Sequence, residues 1–272
     1  MKIEKIYSNN DIYFIEIVQD KIIINDNYEG IIILDGQLNI VKKFELLDDM
    51  VVDVSFIKNS EVVLYCYENQ CFIYLDINTY AYKIISLDSE YVDMSFLSLY
   101  EWCDNELLLL AESGKILVRV NLLTYTVTVQ KYCNKNRLLS VYQDFEKLNK
   151  MFLHKVYPDK KIAIIEKDNI LKIINYKKQS LLTEIMIDIK NKEFYDVEVI
   201  NEFIVLVDEY KIIVSNSIKN INLFPSTKGY RFLRCKFIYI NKEVFLVVLS
   251  CCDADSSVCK LEKYSLENDL LI

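Results

Sequence analysis

Residues 51–88 carry four apolar runs in quick succession: VVDVSFI (51–57), EVVLYCYE (61–68), CFIYLDI (71–77) and YKIISLD (82–88), with Lys-Asn-Ser, Asn-Gln and Asn-Thr-Tyr-Ala at or between the joins. Each run is rich in β-branched and aromatic residues, and the joins are short and polar. That is the pattern of strands linked by tight turns, and four in a row predict an antiparallel meander.

The same order returns on both sides of this stretch. MSFLSLYEW (94–102), ELLLLAE (106–112), KILVRVNL (115–122) and YTVTVQKY (125–132) follow it, and YFIEIV, KIIIND, GIIILD and NIVKKFEL precede it between Tyr13 and Leu46. A fifth unit runs from Phe194 to Pro225 and a sixth from Arg231 through EVFLVVLSC to VCKLEKYSL. The fourth shows two clear strands, KIAIIEK (161–167) and ILKIINYK (170–177), and an indistinct first one. The third strands begin at Ile31, Phe72, Ile116, Ile170, Ile212 and Lys260, a period of about 46 residues.

In period and strand order the chain resembles β-propeller repeat proteins, WD40-like in those two respects only. The Gly-His and Trp-Asp dipeptides of WD40 repeats and the Kelch glycine pairs are absent, and Trp102 is the one tryptophan. The resemblance implies an all-β fold spanning 1–272, a single six-bladed β-propeller of four-stranded antiparallel blades. The blades fall at approximately 12–46, 51–88, 94–132, 152–187, 194–225 and 231–272. A seven-bladed ring and a doubled sandwich are the competing topologies. MKIEKIY (1–7) and the terminal ENDLLI compete as the strand that completes the last blade. Leu138, Val141 or Tyr142, Phe145 and Leu148 recur at helical spacing, which predicts a short helical insert at 136–149 between blades 3 and 4.

Composition narrows the function. With 32 basic against 40 acidic residues the net charge is −8, which opposes neutralisation of nucleic-acid phosphates or anionic lipid. The first residues lack the apolar core of a signal peptide, and no apolar run is long enough to span a bilayer. A cytoplasmic protein is expected, with its eight cysteines reduced. Heavy use of Ile, Asn, Lys and Tyr is typical of AT-rich bacterial genomes.

Few residues suggest chemistry. The single histidine, His154, is the only one that any nucleophile-histidine arrangement could use, and exposed or structural placement is its expected role. Cys66 with Cys71, and Cys251 and Cys252 with Cys259, lack zinc spacing and could face each other across hairpins. Asp253-Ala-Asp255-Ser-Ser257 starts like a calcium loop, but Val258 stands where its glycine belongs and Tyr264 where its bidentate glutamate belongs. A polar turn is expected there. The four glycines are scattered and form no phosphate loop.

The repeated acids are the strongest lead. Asp53 and Asp93 occupy matching places in DDMVVDVSFI and DSEYVDMSFL, Asp196 a looser third, and Arg234 a fourth with the charge reversed. Asp53, Asp93, Asp196 and Arg234 are therefore the candidate binding residues at the blade entries, with Trp102 as an aromatic contact. Acids at blade entries also bond turn amides, which is the plain structural alternative. The leading expectation is a non-enzymatic scaffold that binds a protein or peptide partner, encoded nearby, through rim loops and the channel mouth. No catalytic residue, metal or cofactor is expected, and the oligomeric state is left open. The alternatives are a channel-site metal hydrolase resembling six-bladed lactonases, and a carbohydrate-binding propeller using Trp102, Tyr125 and Tyr230.

Overall fold

Turn chemistry shows how a chain with four glycines makes so many hairpins. At the end of the third strand in successive units stand Asp35, Asp76, Asn121 and Asn175, and each side chain accepts amides from the turn that follows. Asp35 Oδ1 takes the amides of Gln37 and Asn39 at 2.8 and 2.9 Å, and Asn121 Oδ1 takes those of Leu123 and Thr124 at 2.9 Å. Asp76 bonds Asn78 N, and Asn175 bonds Lys178 N. With the turn tied this way, Leu38, Tyr80 and Tyr125 are held at φ of 64°, 59° and 56°, a region that bulky side chains normally avoid.

The computed structural model describes residues 2–87, 96–111, 115–131, 152–157, 162–167, 170–175, 178, 180–186, 196–200, 203–215 and 220–266. After β1 (Ile3–Tyr7), the first meander is β2 (Ile15–Val18), β3 (Lys21–Asp26), β4 (Gly30–Leu34) and β5 (Ile40–Glu45). The second is β6 (Val54–Lys58), β7 (Glu61–Cys66), β8 (Cys71–Asp76) and β9 (Tyr82–Ser86); the third is β10 (Phe96–Cys103), β11 (Glu106–Ala111), β12 (Ile116–Asn121) and β13 (Thr126–Lys131). The fourth is β14 (Phe152–Tyr157), β15 (Ile162–Lys167), β16 (Ile170–Asn175) and β17 (Ser180–Met186), and the fifth is β18 (Asp196–Ile200), β19 (Phe203–Asp208), β20 (Lys211–Ser215) and β21 (Asn220–Leu223). The sixth contains β22 (Tyr230–Ile240), β23 (Glu243–Cys252) and β24 (Cys259–Ser265).

Each meander is one four-stranded antiparallel sheet in chain order, except the sixth, whose order is β1-β24-β23-β22. These are the six four-stranded blades of a β-propeller. The seven-bladed and sandwich alternatives do not hold. The outer strand of blade 6 comes from the N-terminal side, with Ile3 opposite Lys263 and Tyr7 opposite Cys259; ENDLLI and the segment 136–149 lie outside the described residues.

The backbone packs as two compact units, Met1–Ser60 with Asn191–Ile272, and Glu61–Lys190. In the first, blade 6 lies between blades 1 and 5 and its strand alternation divides its side chains between them. Val247, Leu249, Cys251, Cys259 and Leu261 join Ile12, Ile15, Ile22, Ile24 and Ile32 of the blade 1 side. Leu246, Val248 and Tyr264 join Val205, Val207, Ile212 and Val214 of blade 5. Asn25, fully buried in β3, ties down the segment leading into blade 1. It accepts the amides of Tyr13 and Phe14 at 3.0 Å and donates to the carbonyls of Asp11 and Asn27. In the second unit, Tyr65 packs on Phe72 across the β7–β8 ladder, and Tyr74 meets Tyr125 between blades 2 and 3.

Candidate functional site

The entry acids do not share one environment. Asp53 is exposed immediately before β6, and Asp93 lies outside the described residues. Asp196 opens β18 half-buried, where Oδ1 accepts its neighbour Val197 N at 3.0 Å and Oδ2 accepts Cys235 N of β22 at 3.4 Å. Arg234 is exposed beside Cys235, at a bulge in the β22–β23 ladder. Trp102 is half-buried in β10 opposite Leu107, and its indole N–H is enclosed with no acceptor among the described residues. Asp196 thus bonds backbone amides and reaches the neighbouring blade's inner strand.

Two residues further along the same strands lies an ionic cluster that the sequence pattern did not single out. Lys236 Nζ of β22 sits 2.5 Å from Glu16 Oε1 of β2 and 2.9 Å from Glu198 Oε1 of β18. The two carboxylate side chains are only 9% and 6% exposed. Glu16 and Glu198, on the first strands of blades 1 and 5, are therefore bridged by an ammonium from the first strand of blade 6 between them. Aligning Asp53-Val-Ser55, Asp196-Val-Glu198 and Arg234-Cys-Lys236 would have exposed the position, had the charge alternation been followed past the acid. The pair of carboxylates already holds a cation in Lys236. Among the described residues no three metal-ligating side chains converge.

A second buried cluster crosses the face of blade 6 toward blade 5. Glu262 Oε1 accepts Lys2 Nζ at 2.5 Å and Ser226 Oγ at 2.6 Å, while Lys260 Nζ donates to Ser226 Oγ and to Thr227 Oγ1 at 2.5 and 2.9 Å. Lys260 also lies over the Tyr230 ring, 4.8 Å from its centre. Burial alone would raise the Glu262 carboxyl, but the bonds from Lys2 and Ser226 and the charge of Lys260 outweigh it and hold the group below its ordinary value. A depressed carboxylate contributes stability above its unfolded pKa of about 4.3 and loses it as pH falls through the folded value. Chemical unfolding followed from pH 6 down should show stability falling below about pH 4.3, and the fall should be shallower in Glu262→Gln. Equal slopes in both proteins would remove Glu262 as a cause.

The third feature is the rim formed by the turns between second and third strands. Tyr28, on the β3–β4 turn, donates from its hydroxyl to Asp11 Oδ2 at 2.6 Å and stacks on Tyr13 with ring centres 5.7 Å apart. Tyr13 is fixed in turn, donating to Met50 O at 3.0 Å and accepting Val52 N at 3.1 Å. Tyr210 occupies the β19–β20 turn of blade 5, its hydroxyl 3.5 Å from Asp253 Oδ1. Tyr28 is 41% and Tyr210 49% exposed. The loops beneath them are cross-tied by Phe232 N to Glu209 O, Asp253 N to Gly229 O and Asn10 N to Ser257 O, at 2.7 to 2.8 Å. In the second unit, taken by itself, Tyr67 stands on the β7–β8 turn and is also exposed. Asp255 accepts Ser257 N and Oγ at 3.0 and 2.7 Å, bonds that hold the 253–258 segment as a polar turn.

No family model matches the chain, and no curated protein does. Among solved structures it is similar to the Cps50 (Swd1) β-propeller domain of Myceliophteria thermophila, at 8% identity and a TM-score of 0.56, covering 97% of this chain and 99% of that one. It is also similar to Kluyveromyces lactis Hsv2, at 11% identity and a TM-score of 0.52, covering 94% and 98%. The shared feature is the β-propeller fold. At such identities the likeness extends to backbone architecture alone, and the choice of site rests on this chain's own side chains.

Proposed function

We propose that the protein is a non-enzymatic recognition scaffold that acts in the cytoplasm and binds a protein or peptide on the blade-entry rim. The observation that carries this reading is the placement of Tyr28 and Tyr210, exposed aromatics at equivalent turns of blades 1 and 5, each with its hydroxyl directed to a carboxylate. Rigid tyrosines held before binding lose little conformational freedom on contact, and aromatic residues dominate binding energy at protein interfaces. Loops carried on a rigid frame are the usual place for such contacts. Asp53, Asp196 and Arg234 supply charges of both signs at the blade entries, and Asp93 belongs with them by sequence; Trp102, enclosed near the far end of β10, stands apart from this rim.

Lys236 already neutralises Glu16 and Glu198, so this pair of carboxylates gives no support to a channel-site metal hydrolase. The test is binding of a purified partner, with products of neighbouring genes as the first candidates. Tyr28→Ala with Tyr210→Ala should weaken that binding at least tenfold, the effect of losing about 1.4 kcal/mol or more of contact energy, while the melting temperature stays close to that of the parent. A partner that binds the double variant undiminished would move the site off this rim.

A further inference from the structure

Cys251, the penultimate residue of β23, and Cys259, the first of β24, face each other directly in the blade 6 ladder. The amide of Cys252 donates to the carbonyl of Val258 at 2.9 Å. The 252/258 rung therefore carries the hydrogen bonds, and the 251/259 rung is a non-hydrogen-bonded pair. At such a rung the α-carbons approach to about 4.5 Å and the side chains are at their closest, within the span a disulfide bridges. Both sulfurs lie on the same face, in the cluster shared with blade 1. They are buried free thiols.

Their surroundings give the two thiols different roles. Arg231 of β22 is the ladder partner of Cys251 on its other side, and its guanidinium hydrogen-bonds the Cys251 sulfur while its side chain remains 40% exposed. Burial holds the Cys251 thiol above its ordinary value, Arg231 offsets only part of that, and Asp253 and Asp11 add to the rise. Burial pushes the Cys259 thiol up to about 12. Of the two, Cys251 is the thiol with a cation at hand and a partly solvent-facing neighbour, and a cation beside a sulfur stabilises its thiolate relative to one without. Cys259 accepts Ile12 N at 3.3 Å and donates to Ser256 O at 3.3 Å.

We propose that Cys251 and Cys259 form a peroxide-responsive modification site that closes to a disulfide within the β23–β24 hairpin. The Cys251 thiolate attacks one oxygen of hydrogen peroxide; the S–O bond forms, the O–O bond breaks, and the leaving hydroxide takes a proton to become water. Cys259 then attacks the Cys251 sulfenic sulfur. The S–S bond forms, the S–O bond breaks, and hydroxide leaves with the Cys259 proton as a second water. Two thiols are oxidised by two electrons and one peroxide is reduced to two waters. Closure consumes the S–H that bonds Ser256 O and reorients the sulfur that accepts Ile12 N, so the 253–258 turn and the lead into blade 1 both register the event. This inference does not rest on the rim binding a partner.

The experiment treats the intact native chain with hydrogen peroxide, caps remaining thiols, cleaves before aspartate so that Asp253 separates Cys252 from Cys259, and identifies linked fragments by mass spectrometry without reduction. The expected product joins the fragments carrying Cys251 and Cys259, is lighter by two hydrogens and reverts with dithiothreitol. It should persist in Cys252→Ser and disappear in Cys251→Ser and Cys259→Ser. In Cys259→Ser, Cys251 should instead become reactive toward dimedone. Arg231→Met, which keeps both thiols, should slow linkage several-fold at constant pH. A wild-type chain in which Cys252 oxidises while no 251–259 link forms overturns the proposal, as does a link to Cys259 that survives in Cys251→Ser.

Discussion

Removing residues 1–7 should abolish cooperative folding of the unit that contains blade 6, and adding those residues back as a free peptide should restore it. The strand β1 contributes five ladder positions along β24, each worth about 1 kcal/mol net. It also contributes the buried Tyr7 side chain, whose loss costs about 3–5 kcal/mol by analogy with other large-to-small core changes. Together these approach the 5–15 kcal/mol, roughly, that stabilises a whole domain. The damage goes beyond the lost contacts. Every residue of β24 is buried, including Lys260, Glu262 and Lys263, and without β1 its outer hydrogen-bonding edge is left unpaired. Glu262 also loses Lys2, and the carbonyl of Leu38 in blade 1 loses Lys5. Thermal melting by circular dichroism, with and without the peptide, tests this. A truncated chain that melts within a few degrees of the full one would show that β1 contributes little.

Lys236→Met should destabilise the fold by about 3–5 kcal/mol, the usual consequence of leaving a buried charge without its counter-charge. Glu16 and Glu198 would face each other without the bridging ammonium. Replacing all three members, as Glu16→Leu, Glu198→Leu and Lys236→Met together, should recover most of the stability, because well-packed apolar groups replace buried ion clusters with little or no loss. Urea midpoints of the single and triple variants decide the matter. A single variant as stable as the parent would mean that solvent already screens the cluster.

The architecture was legible because blades repeat a local rule. CFIYLDI and KILVRVNL each announce a buried strand that ends in an Asx-capped turn, and the structure places β8 and β12 within them. The positions that join blades were harder to see. Glu16, Glu198 and Lys236 come from three blades and differ in residue type and charge, so no repeat signal links them; only the bridge between three inner strands does. The acids at 53, 93 and 196, with Arg234 in the fourth place, were conspicuous because the position repeats, yet one of them, Asp196, bonds backbone amides as turn-forming acids do. Tyr28 and Tyr210 were hidden among 20 tyrosines, since exposure is set by tertiary packing. The pairing of Cys251 with Cys259 depended on the register of one hairpin, and sequence spacing left that register open.

The outer strand of blade 6 also dictates a schedule. Ile3–Tyr7 leaves the ribosome more than 250 residues ahead of its partner Cys259–Ser265. Such a distant contact must wait for all the chain between the two strands, which slows the closing of blade 6. Until then an amphipathic strand with an exposed Ile6 stands unpaired, able to dock on the β24 of another copy. The net charge of −8 works against such encounters by keeping nascent chains apart. Slow synthesis of the last blade would lengthen the window for strand exchange, and crowding of many copies would fill it.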